Sequence, residues 1–92
     1  MTNRLVVLLA HLLKWKHQPS HRSGSWQVTI LQQRRELRQL LDSGTLYDHA
    51  TAALAEAYAD AGDEAAVETS LPRETFPEEC GWDLGSLLAD GE

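Results

Sequence analysis

The first segment of the chain is apolar around most of a helical wheel. Between about residues 3 and 17, the wheel leaves only a narrow strip at Val7, His11 and Lys14. The positions outside this strip are Leu5, Val6, Leu8, Leu9, Ala10, Leu12, Leu13 and Trp15. A helix that is apolar on so many sides has to be covered on more than one of them. The pattern therefore predicts a central helix.

A second helix, predicted over about 26–42, is amphipathic. Its apolar stripe of roughly 100° contains Trp26, Ile30, Leu37, Leu40 and Leu41, and the arginines at 34, 35 and 38 lie outside it. We expect Ser25 to cap the start of this helix, because a serine side chain can accept from a free backbone amide there. We expect Gly44 to end it in the left-handed conformation.

A third helix is predicted over about 45–69, opened by a capping box formed by Thr45 and Asp48. Gly62 is its weak point, costing about 1 kcal/mol relative to alanine. The prolines and glycines after Ser70 predict a tail that wraps over the bundle and ends in a short helix capped by Asp83. The expected fold class is all-α, with a three-helix core and a wrapping C-terminal tail, forming one domain over residues 1–92.

The charge of the chain is divided between its two halves. The formal net charge is −6, but residues 1–41 sum to +6 and residues 42–92 to −12. The basic half carries a stretch in which cations alternate with aromatic rings, a combination that suits phosphate contacts and base stacking. We therefore consider as candidate binding residues Lys14, Trp15, Arg22, Ser25, Trp26, Arg34 and Arg38, with Lys16 and His17 in the same stretch.

Two interpretations of this basic surface stay open. In one, the protein associates with nucleic acid through Lys14 to Arg38. In the other, which the net charge of −6 favours, the arginines pair with the chain's own Asp and Glu side chains. The acids between Glu56 and Glu68 are expected to form a solvated helix face.

Evidence for catalytic or metal chemistry is weak. His11, His17 and His21 invite a metal site, but Pro19 breaks the helix that would align the last two rings. An enzyme with a His/Ser site near residues 11–26 is a second alternative, although no GxSxG elbow is present. We expect no metal and no cofactor.

The single cysteine bears on the cellular compartment of the protein, and the length of the apolar run bears on whether it spans a membrane. Cys80 cannot form an internal disulfide, which favours a reducing cytoplasm. The apolar run from Leu5 to Leu13 is far shorter than the ~20 residues that span a bilayer. We therefore expect a cytoplasmic protein without a membrane segment.

Several short motifs occur in an order typical of one family. They are HLLKW at 11–15, QP at 18–19, RS at 22–23, SW at 25–26, LAEAY at 54–58, LP at 71–72, ETFP at 74–77, Cys80 and LL at 87–88. On these residues the chain resembles the bacterial domain-of-unknown-function family 29 and is similar to it over nearly its whole length. The resemblance implies an all-helical fold and supplies no activity.

Members of that family usually carry about fifty more residues ahead of the position of Met1, including helices that pack on the HLLKW helix. By this resemblance the chain is expected to be an N-terminally truncated copy. We therefore expect a non-enzymatic interaction or structural module, associating with itself or with another protein because its first helix lacks that cover.

Overall fold

A computed structural model gives the structure of residues 2–89. Over this range the chain forms helices and no strand, which confirms the all-α prediction. The α-helices are α1 (Thr2–His17), α2 (Gly24–Leu40), α3 (Gly44–Thr69) and α4 (Leu84–Leu88). Two short 3₁₀ helices, Pro19–His21 and Arg73–Thr75, lie after α1 and after α3. The three-helix core and the short C-terminal helix therefore lie where the sequence predicts them.

Helix α1 is the centre of the molecule. It packs against α3 along most of its length and against α2 on another side, while α4 contacts both α2 and α3. Its leucines at positions 5, 8, 9, 12 and 13 are each at most 2% exposed. Full burial of one such side chain contributes roughly 1.5–3 kcal/mol, so α1 supplies much of the core. The expectation that α1 lacks cover is wrong, because the chain's own helices enclose it.

The ends of α2 differ from the sequence prediction. Ser23, rather than Ser25, is the N-cap, and its hydroxyl accepts a hydrogen bond from the Trp26 amide at 3.2 Å. Ser23 has extended backbone angles and Gly24 is already helical, so Ser25 lies inside the first turn. At the other end Leu41 closes the helix, and Gly44 is the first residue of α3 rather than a left-handed cap.

The predicted capping box of α3 is also wrong. The helix begins one residue earlier than expected, and Ser43 is the N-cap, so that Thr45 already lies within the first turn. The Tyr47 amide donates to the Ser43 carbonyl at 3.0 Å, which fixes this start. The connection between α2 and α3 is therefore too short to leave Thr45 outside the helix. Leu46, in the first turn of α3, is exposed.

The tail after α3 wraps over the bundle, as predicted. Phe76, Leu84 and Leu87 are buried in the common core. The Tyr58 hydroxyl donates to the Pro77 carbonyl at 2.7 Å and fixes the middle of the tail to α3. Asp83 caps α4, since its Oδ1 accepts from the Ser86 amide at 2.7 Å, and this hydrogen bond lowers the pKa of the carboxyl. Hydrogen bonds at Pro77 and Asp83 therefore lie next to the buried side chains of Phe76 and Leu84.

Two arginines of α2 hold the end of α4. Arg34 Nε donates to the Leu87 carbonyl at 2.8 Å, and Arg38 Nη1 donates to the Leu88 carbonyl at 3.0 Å. The last carbonyls of a helix have no partner within it, and cations are favoured near them. Arg34 is only 3% exposed, so its predicted position outside the buried stripe of α2 is wrong. The reason is that α4 packs over the polar side of α2.

Gly62 has a packing role that its sequence position did not indicate. It is buried, and a Cβ at this position would collide with the guanidinium of Arg73, which lies across α3. Arg73 Nε in turn donates to Asp63 at 3.1 Å. Because Gly62 has no side chain, the Arg73 guanidinium can pack directly against α3. The position predicted to weaken the helix is therefore the one that Arg73 contacts.

A Gly62→Ala substitution should change the free energy of unfolding by less than about 1 kcal/mol. The gain in helix propensity is about 1 kcal/mol. It is offset because the new methyl group displaces Arg73 and disturbs its partly exposed ion pair with Asp63. Urea denaturation followed by circular dichroism measures the change.

The control is the same substitution in an Arg73→Ala background. There no guanidinium opposes the methyl group, and Gly62→Ala should stabilise the protein by most of the propensity difference. If Gly62→Ala changes the free energy of unfolding equally in the two backgrounds, contact with Arg73 is not the reason that position 62 favours glycine.

Candidate functional site

The predicted basic surface does not form one continuous face. Lys14 and Arg34 are buried, at 6% and 3% exposure, whereas Arg22 and Ser25 are exposed. Arg38 is exposed and hydrogen-bonds the end of α4. The structure therefore divides the candidate residues into an internal group and an external group.

The internal group is centred on Lys14. Its ammonium donates to Glu68 Oε1 of α3 at 2.5 Å and lies 5.1 Å from the centre of the Trp26 ring of α2. A carboxylate and an aromatic face both stabilise a buried cation. Lys14 and Trp26 thus lie together, and with Glu68 they join three helices.

The external group begins with Trp15 and Arg22. The 3₁₀ helix Pro19–His21 reverses the chain after α1 and brings Arg22 back to the end of that helix. The Arg22 guanidinium lies 4.8 Å from the centre of the Trp15 ring, and its Nε donates to the Trp15 carbonyl at 2.8 Å. The hydrogen bond and the aromatic face together hold the guanidinium in one place.

Lys16 and Trp82 form a second cation–aromatic pair beside the first. The Lys16 ammonium lies 5.9 Å from the centre of the Trp82 ring, which the tail brings to the end of α1. Trp82 was not among the candidate binding residues predicted from the sequence. No local pattern links it to Lys16, because the two are brought together by the path of the tail.

The two pairs line one surface cleft of about 290 Å³. Its lining residues are Leu12, Trp15, Lys16, Arg22 and Trp82, and we call it the tryptophan cleft. Within residues 2–89, neither Lys16 nor Arg22 has a carboxylate at salt-bridge distance, whereas Lys14 pairs with Glu68. The cleft therefore presents two cations between aromatic walls.

His17 lies behind the tryptophan cleft. Its ring meets the Phe76 ring edge-on, with centroids 5.1 Å apart, and its Nε2 is buried without a hydrogen-bond partner among the described residues. Burial, and then the charge of Lys16, lower the pKa of this imidazole. His17 and Tyr58 both line a second cavity of about 70 Å³.

The residues of the His/Ser alternative lie in different surroundings. His17 lines the smaller cavity, while the Ser25 hydroxyl contacts the Ser23 hydroxyl at 3.0 Å as part of the helix start. His11 hydrogen-bonds the Val7 carbonyl. Within the described range, no three His, Cys, Asp or Glu side chains are grouped so that they could hold a metal ion.

Cys80 lies in the tail between α3 and α4. The Cys80 thiol is half-buried and donates to the Trp82 carbonyl at 3.2 Å, and burial raises its pKa, which disfavours the reactive thiolate. Among the helices described, none combines the length and the hydropathy that crossing a bilayer requires.

Comparison with known proteins gives one match. A family model described as "Domain of unknown function DUF29" matches residues 1–91. No curated protein and no solved structure matches the chain. The family prediction made from the HLLKW, ETFP and related motifs is therefore confirmed.

Replacing the acidic partner of Lys14 should destabilise the fold. Glu68→Ala leaves the Lys14 ammonium buried without a carboxylate, and we expect a loss of roughly 1–3 kcal/mol in the free energy of unfolding. The control Glu64→Ala removes an exposed acid from the same helix and should change this free energy by less than about 0.5 kcal/mol. Denaturant titration compares the two. Equal losses of unfolding free energy in the two variants would show that Glu68 does not stabilise the buried Lys14 ammonium.

The lowered pKa of His17 predicts a fold that weakens at mildly acidic pH. The unfolded chain has an ordinary imidazole pKa near 6.5, so it binds the proton more readily than the folded chain. The stability contributed by neutral His17 is complete above pH 6.5 and is lost as the pH falls through the lower folded pKa. Thermal midpoints between pH 8 and pH 5 should therefore fall less steeply in His17→Gln than in the wild type. A slope in His17→Gln equal to that of the wild type would show that His17 does not cause the loss of stability.

Proposed function

The chain belongs to the family of domain of unknown function DUF29, and from this premise we propose that it is a non-enzymatic interaction module that binds another protein. The proposed binding surface is the tryptophan cleft. The family description names no activity, so the proposal depends on the arrangement of this chain's own side chains.

The observation that carries the proposal is the contrast between the paired and the unpaired cations. Arg4 pairs with Glu36, Lys14 with Glu68, and Arg73 with Asp63. Lys16 and Arg22 are cations without such a pair in the described part of the chain, and they lie in the same cleft. Because their charges are not neutralised by the fold, they are available to a partner.

The walls of the cleft support a binding role. Trp15 and Trp82 are half-buried, and large aromatic side chains with a polar edge are enriched at protein interfaces. Arginine and tryptophan are also the residue types that contribute most to measured interface energies. Each cation is held over a ring, so less conformational freedom is lost when a partner binds.

The burial of α1 bears on the choice of partner. Self-association was expected because α1 would lack cover, but α2, α3 and the tail enclose it. That reason for a homo-oligomer is therefore absent. We accordingly propose a different protein as the partner.

Selection of random short peptides displayed on phage tests the proposal. Wild-type protein should enrich peptides whose binding is weakened roughly twofold to fivefold by Lys16→Gln or by Arg22→Gln. These substitutions remove one charge each and leave the tryptophans in place. Loss of binding should occur without a change in the circular dichroism spectrum or the thermal midpoint.

The matched control is Arg35→Gln. Arg35 is an exposed cation on α2, away from the lining of the tryptophan cleft, and its loss changes the net charge by the same amount. Enriched peptides should bind this variant as they bind the wild type. If the selected peptides bind all variants equally, or none is enriched, the tryptophan cleft is not the binding surface.

A further inference from the structure

Building on the proposed function, we infer that the partner segment bound in the tryptophan cleft is acidic. The expected ligand is a short stretch of another protein in which carboxylates flank an apolar side chain. This inference names the chemistry of the partner at the site proposed above.

The electrostatics of the cleft favour carboxylates. Lys16 and Arg22 lie over tryptophan rings, and an aromatic face stabilises a cation without cancelling its charge. A carboxylate from a partner would add charge-assisted hydrogen bonds, which are stronger than neutral ones. Arg22 uses its Nε for the Trp15 carbonyl, which leaves the two terminal nitrogens of the guanidinium for an acidic ligand.

The size and the floor of the cleft favour a short segment. Its volume of about 290 Å³ lies just below the range for ligand pockets, roughly 300–1,000 Å³. Leu12 also lines the cleft but is only 2% exposed, so the two half-buried tryptophans supply most of the apolar surface for a ligand side chain. The cleft therefore suits one apolar side chain with charged neighbours rather than a large cofactor.

The same charges argue against nucleic acid as the partner. Nucleic-acid affinity depends on many phosphate contacts. Several other cations of the basic half are engaged within the fold, since Lys14 binds Glu68 and Arg34 and Arg38 bind the end of α4. A net charge of −6 also repels a long polyanion. A short acidic peptide needs only the two cations of the cleft.

Fluorescence anisotropy with three labelled probes tests the inference. The probes are a peptide of glutamates around a central leucine, the same peptide with glutamines, and a short oligo-deoxythymidine. We expect the glutamate peptide to bind at least about ten times more tightly than either other probe. Lys16→Gln and Arg22→Gln should each weaken its binding by roughly twofold to fivefold, as expected for partly exposed ion pairs. Arg35→Gln should leave it unchanged.

The outcomes separate this inference from the proposed function. Cleft-dependent peptides from the phage selection that are not enriched in Asp and Glu would overturn the acidic ligand and leave the interaction module in place. Tighter binding of the oligonucleotide, lost in Lys16→Gln and Arg22→Gln, would overturn both in favour of nucleic acid. A glutamate peptide that fails to bind at millimolar concentration also overturns the inference.

Discussion

The burial of α1 is the constraint on which the rest of the structure depends. A helix with apolar side chains on nearly every side is stable in water only if other elements surround it. Helices α2 and α3 cover two sides, and the tail places Phe76 and Leu87 in the same core. The chain is short, so one central helix enclosed by the others is an efficient way to bury the apolar surface that it has.

Enclosing α1 also encloses its few polar groups. Lys14 lies on the strip of the wheel that was predicted to be the least apolar, and it is nevertheless buried. Its charge is tolerated because Glu68 and Trp26 reach it from α3 and α2. Lys16 is exposed although the next residue, His17, packs against Phe76, and Arg22 is exposed after the helix has ended. The division between structural and available cations therefore follows from which side of α1 the other elements cover.

The elements of the fold could be predicted from the sequence, whereas several of their contacts could not. Apolar periodicity places α1, α2 and α3 to within about two residues, because it reflects the face that each helix buries. The predictions of the helix N-caps were less accurate, since Ser23 and Ser25 are equally suitable as capping residues and the backbone angles decide between them.

The long-range contacts could not be predicted. The pairing of Lys14 with Glu68 and of Lys16 with Trp82 joins distant parts of the chain, and local spacing carries no information about such contacts. Of the candidate site, Trp15 and Arg22 were identified in advance, but their neighbour Trp82 was not.

The tryptophan cleft is built from the end of α1, the turn after it, and Trp82 of the tail. Its two walls therefore meet only after the tail has crossed the bundle and Tyr58 and Arg34 have fixed it there. When the tail is detached from the bundle, the Trp82 wall is absent, although Trp15 and Arg22 still lie at the end of α1. A partner that recognises both walls would therefore distinguish molecules with a docked tail from those in which the tail has come away.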